Sequence, residues 1–240
     1  MRKHSPATQV SSGLAILAGS LMFMGSAQAV TIVSEDFEGG AGAGNVFGVG
    51  IYNYSMNYTM PNLLTPGGGL NYLRGGAGIT GSASTNIFTA TGSPLSLLAG
   101  GITGADIDGG LVGYNLYAQF STYLDQNDHG SLVVQFLDAG SSPLGQPLSI
   151  GGSAFVTGLG SGNNGIYSNA RNWGEDSLSG LVPSGARFAT VQIFEVKTPG
   201  GTAIDGYMDN VLFSIAVPEP GSAALVALGA GLFACSRRRR

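Results

Sequence analysis

Leu116-Tyr117-Ala118-Gln119-Phe120-Ser121-Thr122-Tyr123-Leu124, then Asp125-Gln126-Asn127-Asp128-His129-Gly130, then Ser131-Leu132-Val133-Val134-Gln135-Phe136-Leu137: the fold is read from this stretch. Leu116, Ala118, Phe120 and Leu124 alternate with Tyr117, Gln119, Ser121 and Tyr123. An apolar residue at every second position gives an extended strand one face for a core and one for water. The acids, amides and glycine that follow have the chemistry of a turn, and an apolar run resumes after them. The stretch predicts a β-hairpin, with Asp128 and His129 in its solvated turn.

The same period recurs on both sides. Ala189, Val191 and Ile193 alternate with Thr190, Gln192 and Phe194. Near the end of the body, Tyr207, Asp209, Val211, Phe213 and Ile215 alternate with Met208, Asn210, Leu212 and Ser214. Tyr52 to Thr59 predicts a further strand, with Tyr52, Tyr54 and Tyr58 on one face. Glycine supplies 41 of 240 residues, and its clusters at 39–44, 67–69 and 75–81 predict loops. No stretch of the body holds a helical period for three turns. Many short strands with Gly/Pro/Asn turns predict an all-β protein, a single β-sandwich or jelly-roll domain.

The two ends of the chain differ from this body. Arg2, Lys3 and His4 precede an apolar stretch from Leu14 to Met24, and Ala27-Gln28-Ala29 places small residues before Val30. That order predicts a secretory signal peptide over residues 1–29, cut by signal peptidase after Ala29. The other end reads Val217-Pro218-Glu219-Pro220, an uncharged run from Gly221 to Cys235, Ser236, and the arginine cluster 237–240. A helix over 222–235, at about 1.5 Å per residue, reaches roughly 21 Å, short of the ~30 Å hydrocarbon core. It spans the bilayer only with local thinning or snorkelling arginines. The arginines hold the terminus on the cytoplasmic side, so both ends predict one topology, with the body exported and transiently anchored in the inner membrane.

The body, residues 30–216 with Val217 at the junction to the tail, has four basic residues, Arg74, Arg171, Arg187 and Lys197, against thirteen acids. A formal charge of −9 follows, which excludes nucleic acid as a partner, because phosphate neutralisation needs a basic face. The single cysteine, Cys235, lies in the tail, so the body has no disulfide, and its many acids suggest a metal ion as a staple. Two G-x-G-x-x-G matches, at 76–81 and 160–165, are expected by chance at this glycine content and open no helix. Nucleophilic catalysis lacks its parts, since the body has only His129 and no G-x-S-x-G elbow. Asp106-Ile107-Asp108-Gly109 reads as a turn, as does the EF-hand-like start at Asp125, whose twelfth position is Phe136.

The tail of Pro-Glu-Pro, short apolar helix and terminal arginines resembles the PEP-CTERM sorting tail of Gram-negative bacteria. The resemblance implies processing near Pro218, Glu219 and Pro220 by an exosortase-type membrane protease. It also implies delivery to the cell surface or extracellular matrix of an exopolysaccharide-producing cell. The body resembles galactose-binding-like jelly rolls and related carbohydrate-binding modules. The resemblance rests on Glu35-Asp36-Phe37-Glu38-Gly39 at the first strand and Asp205-Gly206-Tyr207-Met208-Asp209-Asn210-Val211 at the last. It implies one structural calcium joining first and last strands, held by Glu38 and Asp209 with Asp36 and Asp205 as further ligands. Carbohydrate contact is expected from Trp173, Tyr52 and Tyr54, whose rings match the apolar faces of sugars. The expected role is non-enzymatic, structural or adhesive, with polysaccharide as a partner. The alternative is a secreted hydrolase acting on polysaccharide through paired carboxylates.

Overall fold

The structure is a computed structural model and describes residues 28–40, 44–48, 51–53, 71–77, 83–122, 126–152 and 173–217. The strands are β1 (Gln28–Glu35), β2 (Ile51–Asn53), β3 (Asn71–Ala77), β4 (Ser84–Thr89) and β5 (Leu95–Ser96). After the short helix α1 (Gly104–Asp108) come β6 (Gly113–Thr122), β7 (His129–Leu137), β8 (Pro143–Gly151), β9 (Gly174–Leu181), β10 (Phe188–Lys197) and β11 (Ala203–Val217). They form two antiparallel sheets. The first runs β2-β3-β11-β6-β9, with β1 also on β11; the second runs β4-β10-β7-β8, with β5 also on β10. The all-β expectation holds. Among the described residues no helix is long and apolar enough to cross a membrane. The signal peptide up to Ala27, the motif Pro218–Pro220, the apolar helix 222–235 and the arginine cluster 237–240 lie outside the described residues.

The hairpin expectation fails. β6 and β7 follow one another in sequence but sit in opposite sheets, β6 between β11 and β9 and β7 between β10 and β8. Both strands own a strongly apolar face. Leu116, Ala118 and Phe120 from one and Leu132, Val134 and Phe136 from the other are at most 2% exposed and belong to one core. Facing each other across the sandwich buries both sets, and the connection at 123–128 is long enough to cross the ~10 Å between sheets.

β11 is the spine. Along one edge it pairs with β6 from Gly206↔Thr122 to Ala216↔Gly113. Its other edge is shared: β3 takes Ala203 to Met208, and β1 takes Val211 to Val217. The first and last strands are therefore joined by a backbone ladder running from Gln28↔Val217 to Glu35↔Val211. Within β11 the register against β6 shifts between Asp209 and Leu212, and Asn210 takes φ 51°. Asparagine tolerates this left-handed conformation better than most residues. The bulge reverses the parity expected from sequence: Met208 faces the core before it, and Val211, Phe213 and Ile215 face the core after it.

Other local expectations also change. The strand expected over 52–59 is described only as Ile51–Asn53, and Tyr54 to Thr59 lie outside the described residues. Gly75 and Gly76, expected in a loop, are inside β3, because that strand pairs with β11. Asp106-Ile107-Asp108 is α1 rather than a turn. Thr103 caps it in a reciprocal capping box with Asp106, and Ile107 is buried beneath it. β1 ends at Glu35, so Asp36 to Gly39 form a turn in which Phe37 has φ 57°.

Candidate functional site

The parity reversal in β11 turns Asp205, Tyr207 and Asp209 to the outer face of the first sheet. Their cross-strand partners share that face. Tyr207 lies opposite Arg74 of β3 and Ser121 of β6. Asp209 lies opposite Gln119, and Gln119 lies opposite Glu175 of β9. The result is a polar face with aromatic rings on it. Tyr72 packs edge-on against Tyr207 at 5.1 Å and against Trp173 at 6.0 Å between ring centroids. Tyr72 and Tyr207 are buried, whereas Trp173 is half-buried beside them. The indole Nε1 of Trp173 is buried and finds no acceptor among the described residues. Farther along, the half-buried Tyr117 donates its hydroxyl to the exposed Glu175 Oε2 at 2.9 Å. Burial, then this carboxylate, push the Tyr117 hydroxyl above its ordinary pKa. Asn210 Nδ2 donates to Gln119 Oε1 at 2.7 Å and ties the bulge to β6.

The residues expected to contact carbohydrate fare differently. Trp173 is on this face, packed on Tyr72. Tyr52 is in β2 at the register position opposite Tyr72. Tyr54 lies outside the described residues.

The acids expected to hold calcium divide between two places. Glu38 accepts from the backbone N–H of Asn71 at 2.7 Å and from its side chain at 3.3 Å, bridging to β3. Asp36 accepts the N–H of Glu38 at 3.0 Å, and Asp209 accepts that of Asn210 at 2.7 Å. Since Glu35 pairs with Val211 and Leu73 with Met208, the turn that carries Glu38 and the start of β3 that it bridges to flank the stretch of β11 that carries Asp209 and the bulge. Asp205 belongs elsewhere. It forms an ion pair with Arg74, Nη2 to Oδ1 at 2.6 Å, near the start of β11. Among the described residues no group of three or more His, Cys, Asp or Glu side chains assembles that could hold a metal. The four expected ligands are thus not one donor set; Glu38 and Asp209 alone remain as two carboxylates.

A buried charged cluster was not foreseen. On β10 the inward positions are Ala189, Val191 and Ile193, followed by Glu195 and Lys197. Both charged residues are 0% exposed. Lys197 Nζ donates to the carbonyls of Thr198, at 3.2 Å, and Gly200. Asp128, expected in a solvated turn, is 1% exposed. Its Oδ1 accepts from the N–H of Thr198 at 2.7 Å and its hydroxyl at 2.8 Å, and its Oδ2 accepts from the N–H of Asp205 at 2.9 Å. It thus fastens the β10–β11 connection to the start of β7. Among the described residues neither carboxyl oxygen of Glu195 finds a hydrogen-bond partner. Its walls are glycines: an added Cβ would lie 2.7 Å from Oε1 at Gly130 and would strike Oε2 at Gly206. Burial, then the negative charge of Asp128, hold the Glu195 carboxyl well above the usual carboxylate range. Burial likewise raises Asp205, opposed by Arg74. Extending the alternation of Ala189, Val191 and Ile193 by two steps in each case finds Glu195 and Lys197 on the core face. Glu195 has the displaced protonation that a general acid needs. It is nonetheless 0% exposed, as its neighbour Asp128 is at 1%, so neither carboxylate meets solvent.

Residues 216–240 match the model of the PEP-CTERM protein-sorting motif. The molecule is therefore an antiparallel two-sheet sandwich carrying a PEP-CTERM sorting motif at its C-terminal end. Among solved structures it is similar to the K1 cleaved adhesin domain of Lys-gingipain from Porphyromonas gingivalis W83. That match has 13% identity, covers 79% of this chain and 99% of that one, and has a TM-score of 0.38. A second similarity is to CBM27-1 of Caldicellulosiruptor saccharolyticus, solved with mannohexaose, at 16% identity over 80% and 97% of the chains and a TM-score of 0.37. A third is to the carbohydrate-binding module CBM6cm-2 from Cellvibrio mixtus lichenase 5A, at 13% identity over 79% and 100% and a TM-score of 0.33. No curated protein matches the chain.

Proposed function

We propose that this is an exported, non-enzymatic surface protein, cleaved by signal peptidase before Val30 and processed at its PEP-CTERM tail by an exosortase. It is anchored transiently in the inner membrane and then delivered to the cell surface or extracellular matrix of an exopolysaccharide-producing bacterium. There it serves a structural or adhesive role and holds polysaccharide on the outer face of the first sheet. The sorting motif at 216–240 carries the export half of this reading. The face that carries the half-buried Trp173 and Tyr117 and the exposed Glu175 supports the binding half, because it combines ring surface with a hydrogen-bonding carboxylate. A calcium ion beside the bulge, between Glu38 and Asp209 and completed by backbone carbonyls, belongs to the same reading. It would brace strands that the β1–β11 ladder already joins.

The binding half is tested by titrating residues 30–217 with exopolysaccharide from a producing strain. Trp173→Ala is expected to weaken binding at least tenfold while the fold, followed by circular dichroism, persists. Unchanged binding by Trp173→Ala would remove the outer face from the proposal.

A further inference from the structure

The described residues expose four large hydrophobic side chains, and three of them lie at one end of the sandwich. They are Leu98 at 47%, Leu111 at 54% and Leu181 at 65% exposure. Register fixes their place. Gln28 pairs with Val217, Ala216 with Gly113, and Gly113 with Leu181, so Leu181 lies at the end where both chain termini leave the fold. Leu111 precedes β6 at the same end, where the N–H of Val182 donates to the carbonyl of Val112 at 2.9 Å. Leu98 follows β5, which pairs with the first residues of β10, and a Cβ on nearby Gly100 would strike Val30 of β1. The fourth, Ile87 at 53%, is opposite Phe194 in the far half of β10.

This is also the end to which the tail is joined. Val217 is the last residue of β11, and only Pro218 to Gly221 separate it from Ser222 of the apolar run. Fully extended, that connection spans at most about 18 Å. The headgroup layer takes up roughly 5–8 Å of it. While the tail is in the bilayer, the terminal end of the sandwich is held within roughly 13 Å of the lipid surface, close enough to rest on it. The opposite end, with the cleft of about 230 Å³ between residues 126–128 and 198–201, is held away from it by the length of β11, roughly 45 Å.

We infer that Leu98, Leu111 and Leu181 form a lipid-contacting surface, seated in the interfacial layer of the bilayer that holds the tail. The inference rests on the proposed sorting-tail reading. It orients the domain: the terminal end faces the membrane, and the first sheet's outer face stands upright from it. Charge is not the source of the contact. The same end carries Asp106, Asp108 and Asp138, and its Arg187 is occupied by Asp108 at 2.7 Å. Neutral lipid therefore suffices, and raised salt leaves the contact intact.

The test uses the full chain with Cys235→Ser, reconstituted through its tail into phosphatidylcholine vesicles containing a lipid with a shallow quencher. Single fluorophores are placed at Leu111→Cys, at Leu181→Cys or, at the far end, at the exposed Asn127→Cys. The two leucine positions are expected to be quenched roughly twofold or more beyond Asn127, at low and high salt alike, as interfacial insertion demands. Vesicle-bound chain with equal quenching at all three positions overturns the surface and leaves the anchor standing. Chain that does not float with the vesicles overturns the anchor itself, and the surface with it.

Discussion

The two ends of the sandwich reverse the usual distribution of residues. The end away from the termini buries Asp128, Glu195, Lys197 and Asp205, while the end at the termini exposes Leu98, Leu111 and Leu181. Buried charge is stable only when hydrogen-bonded or neutralised, and exposed leucine contributes nothing to folding. The far end therefore depends on its hydrogen bonds to keep charge buried, and the terminal end carries a surface that folding does not explain. The difference shows that a polar residue in a strand is not evidence of a solvated face, nor an apolar one of a core.

The comparison breaks first at Asp128. Asp128→Ala removes the acceptor for three hydrogen bonds that hold the β10–β11 connection, and it leaves buried donors behind. A loss of roughly 3–5 kcal/mol is expected in denaturant unfolding of residues 30–217. A loss below about 1 kcal/mol would show that these hydrogen bonds do not hold the far end together.

Calcium probes the bulge where the two halves of β11 meet. An ion held only by the folded state adds about 2.7 kcal/mol when it stands a hundredfold above its Kd. Excess chelator is expected to lower the melting temperature, and Asp209→Ala to abolish the difference. Equal melting in calcium and chelator would leave Glu38 a bridge to Asn71 with no part in holding an ion.

The buried carboxyl at Glu195 makes the far end sensitive to pH. Above the usual carboxylate range the unfolded chain gives up this proton and the folded chain keeps it. Stability is therefore full at acid pH and falls as pH rises toward the folded pKa, by up to about 1.4 kcal/mol per pH unit for one proton. Asp205, also raised, adds to the slope with the same sign. Glu195→Gln is expected to flatten the pH dependence of the unfolding midpoint. A slope identical to that of the parent chain would place the responsible proton elsewhere.

The smallest effect belongs to the terminal end. Replacing Leu98, Leu111 and Leu181 together by serine is expected to change the stability of residues 30–217 by less than about 0.5 kcal/mol per site. A larger loss would mean that these side chains serve the fold and not a surface.

The alternation at 116–120, 132–136 and 189–193 was enough to identify strands and their apolar faces, because side-chain direction in a strand is a local property of the backbone. The sorting tail was equally legible, since its recognition depends on a linear order of residues. A lack of disulfide in the body followed from the place of Cys235 alone. Tertiary structure decided the rest. It sent β6 and β7 to opposite sheets, because two apolar faces are buried better across a core than side by side. It divided the expected calcium ligands by pairing Asp205 with Arg74 from a strand 131 positions away in sequence. It reversed the parity of β11 at Asn210, where one residue without a ladder partner turned Asp205, Tyr207 and Asp209 outward. Period tells which side of a strand a residue occupies; only long-range pairing tells what stands on that side, and so whether a carboxylate meets water, an arginine or a wall of glycine.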